Sequence, residues 1–156
     1  MIAVARLATA IGLAGLVPFI FGTLAILLWP DAQATCVKLF YIYSAGVLAF
    51  MAGVYWPIAL QLEDRCFPLS PITTLVISQV FFLSAGLALL LPIQAQAVVY
   101  PIAYIALYVV DVRWMRLYWP GWYRRLRMVL TLVACACQAI AGFWLLMHPL
   151  VASAAS

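Results

Sequence analysis

Five stretches of this chain run for about the width of a membrane without one charged side chain, and nothing else in the sequence constrains the fold as strongly. A bilayer hydrocarbon core of about 30 Å takes about 20 apolar residues of helix. Leu7 to Trp29 is the first such run, closed by Pro30 and Asp31, and Leu39 to Leu62 is the second, closed by Glu63, Asp64 and Arg65. Ile72 to Leu91 opens after Ser70-Pro71 and stops at Pro92, and Ile93 to Val110 stops at Asp111. Met128 to Met147 begins after Arg124, Arg125 and Arg127 and ends at His148-Pro149. Hydrophobic residues make up 69% of the 156 and charged residues 8%, too few polar groups to cover a soluble core. The expected fold is therefore all-α. It is a single polytopic membrane bundle over residues 1–156, with spans at about 7–29, 39–62, 72–91, 93–110 and 128–147 and an interfacial loop at 111–127.

With five spans, the N-terminus and the second and fourth loops share one side of the membrane. Arg6, Arg65, Arg113, Arg116, Arg124, Arg125 and Arg127 fall on that side and Lys38 alone on the other, which the positive-inside rule reads as N-in, C-out. Ala32-Gln33-Ala34 resembles a signal-peptidase site, but the preceding apolar run of 23 residues exceeds a secretory h-region of about 7 to 15, so an uncleaved anchor is expected. The expected location is therefore an integral, multi-pass one in a membrane.

Lipid tails are as apolar as Leu, so helix association has to come from small residues and shared polar groups. Ala8 and Gly12, Ala45, Ala49 and Gly53, and Thr131, Cys135 and Ala139 form four-residue stripes assigned to internal helix interfaces, and they leave the oligomeric state open. Pro18, Pro57 and Pro101 sit inside three of the spans as kinks, and each deprives the carbonyl four residues earlier of its helical donor, at Ala14, Gly53 and Ala97. Tyr55, Trp56, Gln79 and Gln138 are the candidate intramembrane polar contacts; the two amides near mid-membrane need partners on other helices.

No catalytic constellation emerges. Cys135 and Cys137 are two apart on a helix and diverge by about 200°, which rules out a shared thiolate site, and no Cys-x-x-Cys pair is present. His148 beside Met147 offers one imidazole at a helix end, without the second ligand set that haem or copper requires. No phosphate-binding loop, dinucleotide fingerprint or Ser-His-Asp set occurs. The reading is a protein that is not an enzyme and has no cofactor or metal.

The most distinctive stretch runs from Asp111 to Arg127. It interleaves Arg113, Arg116, Arg124, Arg125 and Arg127 with Trp114, Tyr118, Trp119, Trp122 and Tyr123. Indole and phenol rings favour the headgroup level, and arginines there meet lipid phosphates before any nucleic acid. Asp111, Arg113, Trp114, Arg116, Trp119, Trp122, Tyr123, Arg124, Arg125 and Arg127 are thus the candidate docking residues for anionic headgroups or a membrane-protein partner.

Ile11 to Phe19, Tyr43 to Trp56, Asp111 and Trp122-Tyr-Arg-Arg-Leu-Arg127 together resemble a domain-of-unknown-function family of integral membrane proteins that includes transmembrane protein 69. Where that family carries His-Trp-Gly, this chain has Tyr55-Trp56-Pro57. The resemblance implies a small bacterial or mitochondrial inner-membrane protein and brings no activity with it. The residues themselves favour a non-catalytic accessory or assembly subunit. The alternative is a small transporter or lipid-handling protein for an uncharged or lipid-like substrate, its path near Pro18, Pro57, Gln79, Pro101 and Gln138.

Overall fold

The computed structural model describes residues 2–61 and 70–154, and every element in them is helical. Glu63, Asp64, Arg65 and Cys66, the charged closure of the second apolar run and its neighbouring thiol, lie outside the described residues. The chain folds as α1 (Ile2–Ala14), α2 (Val17–Leu28), a 3-10 turn (Pro30–Ala32), α3 (Gln33–Gly53), α4 (Tyr55–Gln61), α5 (Pro71–Ala88), α6 (Ile93–Arg113), α7 (Gly121–Met147) and α8 (Pro149–Ala154). Five segments are long and apolar enough to cross a membrane: Ala5–Leu28, Pro30–Leu60, Pro71–Ala88, Ile93–Arg113 and Gly121–Met147.

The first two segments are each broken by a proline. Pro18 sits in the first turn of α2, where its missing N–H costs nothing, and the chain bends before it at Gly15 and Leu16. Pro57 sits in the same way near the start of α4, and α3 stops at Gly53. Pro101, by contrast, is accommodated inside an unbroken α6. The helices outrun the charge-free runs at several ends. Lys38 lies in the second turn of α3 and is exposed, so its ammonium reaches water over its own stem. Helix α7 starts at Gly121 because Pro120 ends the preceding loop, which puts Arg124, Arg125 and Arg127 on its first two turns.

Burial follows helical periodicity. On α3 the buried set is Val37, Phe40, Tyr41, Ser44, Ala45, Leu48, Met51 and Ala52, and on α7 it includes Arg127, Thr131, Ala134, Gln138, Ala141 and Leu145. The outside is as apolar as the inside. Phe50 is 75% exposed and Leu146 73%, as suits a surface bathed in hydrocarbon. The most extensive packing joins α6 to α7, α3 to α5 and α2 to α3. Gly12 lets α1 approach α7, since a Cβ there would stand 3.1 Å from a Leu126 methyl, and a Cβ on Gly22 would stand 3.0 Å from the Phe40 ring.

The small-residue stripes turn as they run. A four-residue step advances an ideal helix by about 40° beyond a full turn. Accordingly Ala45 is buried, Ala49 half-buried and Gly53 exposed, and Thr131, Cys135 and Ala139 follow the same sequence. Ala45 and Thr131 are thus the fully buried members of their stripes, whereas Ala8 and Gly12 are both half-buried.

Candidate functional site

A carboxylate near the end of α6 organises one end of the bundle. Asp111 is buried, and its Oδ1 accepts hydrogen bonds from the Tyr55 hydroxyl at 2.6 Å and from Trp119 Nε1 at 3.2 Å. Its Oδ2 accepts from Arg127 Nε at 2.7 Å and forms an ion pair with Arg127 Nη2, also at 2.7 Å. Arg127 is 2% exposed, and its Nη1 donates to the Met51 carbonyl at 3.2 Å. The guanidinium also stands 5.8 Å from the Tyr55 ring and 5.9 Å from the Tyr123 ring. Four segments therefore meet at one charge pair: the α3–α4 junction, the end of α6, the loop after it and the start of α7.

The arrangement explains the break in α3. Without helical continuation at Val54, the carbonyls of Met51 and Ala52 turn to side chains, the first to Arg127 and the second to the Ser78 hydroxyl at 2.8 Å. At the α1–α2 bend the Tyr43 hydroxyl donates to Gly15 O at 2.7 Å. Expectation placed the freed carbonyls at Gly53 and Ala14. The structure shows the side-chain donors at neighbouring carbonyls, because the chain turns at the junction before the proline rather than at the residue four back.

Asp111 and Arg127 thus face inward and serve each other, whereas the sequence had grouped them with a surface loop. No run of apolar residues marks such a pair: Asp111 looks like a span terminator and Arg127 like the last of a basic cluster. The usable signal was their spacing, since a short connection over 114–120 brings the end of α6 and the start of α7 side by side and so sets residues 16 apart against each other. Tyr55 joins them, and Trp56 is exposed.

Among the other described arginines, Arg6, Arg113, Arg116 and Arg125 are exposed and Arg124 is half-buried. Arg116, Arg124 and Arg125, together with Tyr108, Val112 and Met128, line a groove of about 340 Å³ between α6 and α7. Arg124 Nε is buried there with no hydrogen-bond partner. Arg113 and Trp114 are exposed beside it. Trp119, Tyr123 and Trp122 form a pile of rings, with centroids 4.5 Å apart for Trp119 and Tyr123 and 5.7 Å for Trp122 and Tyr123. Trp119 is anchored on Asp111 and Tyr123 lies against Arg127, so the charge pair fixes both the loop that carries Arg116 and the start of α7 that carries Arg124 and Arg125.

The mid-membrane amides differ from each other. Gln138 is fully buried, and neither its Oε1 nor its Nε2 has a hydrogen-bond partner; Thr131, seven residues earlier on the same face, has an unpartnered Oγ1. Gln79 is half-buried. Tyr100 and Tyr104 are satisfied by Ala85 O and Ser44 O, both at 2.9 Å. Cys135 makes a 3.8 Å contact from its thiol to Pro101 O, and His148 stacks on Trp144 at the far end of α7.

Residues 4–143 match a family model described as Protein of unknown function (DUF3429). The chain belongs to this family. The matched DUF3429 region contains Tyr55, Asp111, Trp119 and Arg127 as well as the arginine groove, and it stops before Trp144, His148 and α8. No curated protein and no solved structure matches the chain.

Proposed function

We propose that this protein is a non-catalytic accessory subunit of the bacterial inner membrane that docks through its arginine groove on an acidic segment of another membrane protein. The observation that carries the reading is the division of labour among the arginines. One is consumed by the protein's own carboxylate, and Arg116, Arg124 and Arg125 converge on one groove that has no acidic residue among its described lining residues. Guanidinium groups suit planar, bidentate capture of carboxylates, and a groove held by a buried ion pair is ordered before its partner arrives. The exposed rings of Trp114 and Trp122 beside it support a position of this end at headgroup depth, where anionic lipids would supply a second, weaker set of contacts. In this reading the groove faces the cytoplasm, following the arginine bias.

A transport reading draws on Gln138 and Thr131, whose polar atoms lack partners inside the bundle. Against it, the carbonyls of Gly15, Met51 and Ala52 at the helix breaks are already engaged by side chains and present nothing to a substrate. The test is gentle extraction from the native membrane, comparing the wild type with an Arg116→Gln, Arg124→Gln, Arg125→Gln variant. Loss of a stoichiometric protein partner from the variant, with its folding intact, supports docking. Retention of every co-purifying component by the folded variant overturns it.

A further inference from the structure

The opposite end of the bundle carries a second set of unspent polar groups, independent of the arginine groove. Lys38 on α3 borders a cavity of about 550 Å³ whose other walls are the turn Leu89–Ile93 and Gln96 on α6. Gln96 is 4% exposed; its Nε2 donates to Leu91 O at 2.7 Å and to Leu89 O at 3.2 Å, which fixes the amide and leaves Oε1 buried with no partner. Helix α6 begins at Ile93 in the same wall, with no side-chain cap at Pro92 and no acidic residue in its first turn, so its positive end is uncompensated. A cation and a helix N-terminus ask for an anion, and a buried carbonyl oxygen asks for a hydroxyl or ammonium donor.

The cavity does not end at the headgroup level. Through Ile42 and Leu89 it adjoins a second groove of about 420 Å³ that runs between α3 and α5 along Gly46, Ala49 and Gly86. A Cβ on Gly46 or Gly86 would meet nothing within 4 Å, so the two glycines leave open space on a face that otherwise carries Phe82, Leu83 and Leu87. The lining is almost entirely apolar. An occupant with one anionic, hydroxyl-bearing head and a long hydrocarbon tail fits both halves at once.

We infer that Lys38, Gln96 and the α3–α5 groove form a binding site for one phospholipid with a phosphoglycerol headgroup. The phosphate takes the ammonium of Lys38 and the start of α6, a glycerol hydroxyl donates to Gln96 Oε1, and one acyl chain lies across Gly46 and Gly86. This lipid belongs to the leaflet opposite the arginines, where Lys38 is the lone basic residue of the sequence's second, sparsely charged side.

Native mass spectrometry of the full chain in mild detergent tests the site, with dioleoyl phosphatidylglycerol and dioleoyl phosphatidylcholine as probes. One phosphatidylglycerol should be retained per chain, well above phosphatidylcholine, and Lys38→Gln should weaken it by about fivefold, the scale of one basic residue at a membrane surface. Gly86→Leu, at a position with room for a side chain, should weaken both lipids by filling the acyl groove. Arg116→Gln with Arg125→Gln should leave the retained lipid in place. The site is overturned if Lys38→Gln keeps phosphatidylglycerol as well as the wild type does. It is equally overturned if only the arginine variant loses the lipid, or if glycerol 1-phosphate competes as well as the intact lipid, since the chain would then contribute nothing.

Discussion

Asp111 spends all its acceptor capacity inside the protein, on Tyr55, Trp119 and Arg127. Burying either charge alone costs several kcal/mol, whereas a pair with satisfied hydrogen bonds recovers most of that loss. Arg127→Met should therefore destabilise by about 3–5 kcal/mol, and adding Asp111→Leu to the same chain should restore much of it, as read from thermal unfolding in detergent. Tyr55→Phe removes one hydrogen bond to a charged acceptor and is expected to cost about 1.5–3 kcal/mol in the same assay. A Tyr55→Phe protein as stable as the wild type would show that Trp119 and Arg127 suffice to hold Asp111.

At the scale of elements, two spans are broken and the breaks are stitched by side chains from other helices. Ser78 holds Ala52 O from α5 and Arg127 holds Met51 O from α7, so the α3–α4 junction is a three-helix joint. Ser78→Ala should cost about 1 kcal/mol. Its effect should be non-additive with a change at Arg127, because adjacent carbonyls of one junction are involved; strict additivity in a double-mutant cycle would separate them. Gly22→Leu drives a side chain into the buried Phe40 ring and should cost about 1–3 kcal/mol or more by overpacking, seen as a lowered unfolding temperature. The spans were legible in the sequence because length and the absence of charge suffice to define them. The joints were not. A proline announces a break, but which carbonyl is left over depends on where the chain turns, and which donor finds it depends on the neighbouring helix. Gln96 was equally hidden, since an amide in the first turn of a helix looks solvated until the turn Leu89–Leu91 folds over it.

As a whole, the molecule is a bundle with two polar ends of different kind. One is rich in arginine and braced by a buried ion pair, and the other has a lone lysine over an apolar groove. The charge bias that separates them was visible from the sequence, because it needs only the order of spans and the positions of the basic residues. The split within the arginines was not, because burial of Arg127 requires knowing that Asp111 lies beside it. On the N-in, C-out reading, a reporter fused after Ser156 that works only outside the cytoplasm should be active, and a cytoplasm-only reporter should be silent; the reverse pattern would invert the molecule. The most direct test of the account compares thermal unfolding of Arg127→Gln with that of an Arg116→Gln, Arg125→Gln variant. The account requires a loss of about 3–5 kcal/mol for the first and a change within about 0.5 kcal/mol for the second. Equal effects on stability would contradict the assignment of one arginine to the fold and the others to a partner.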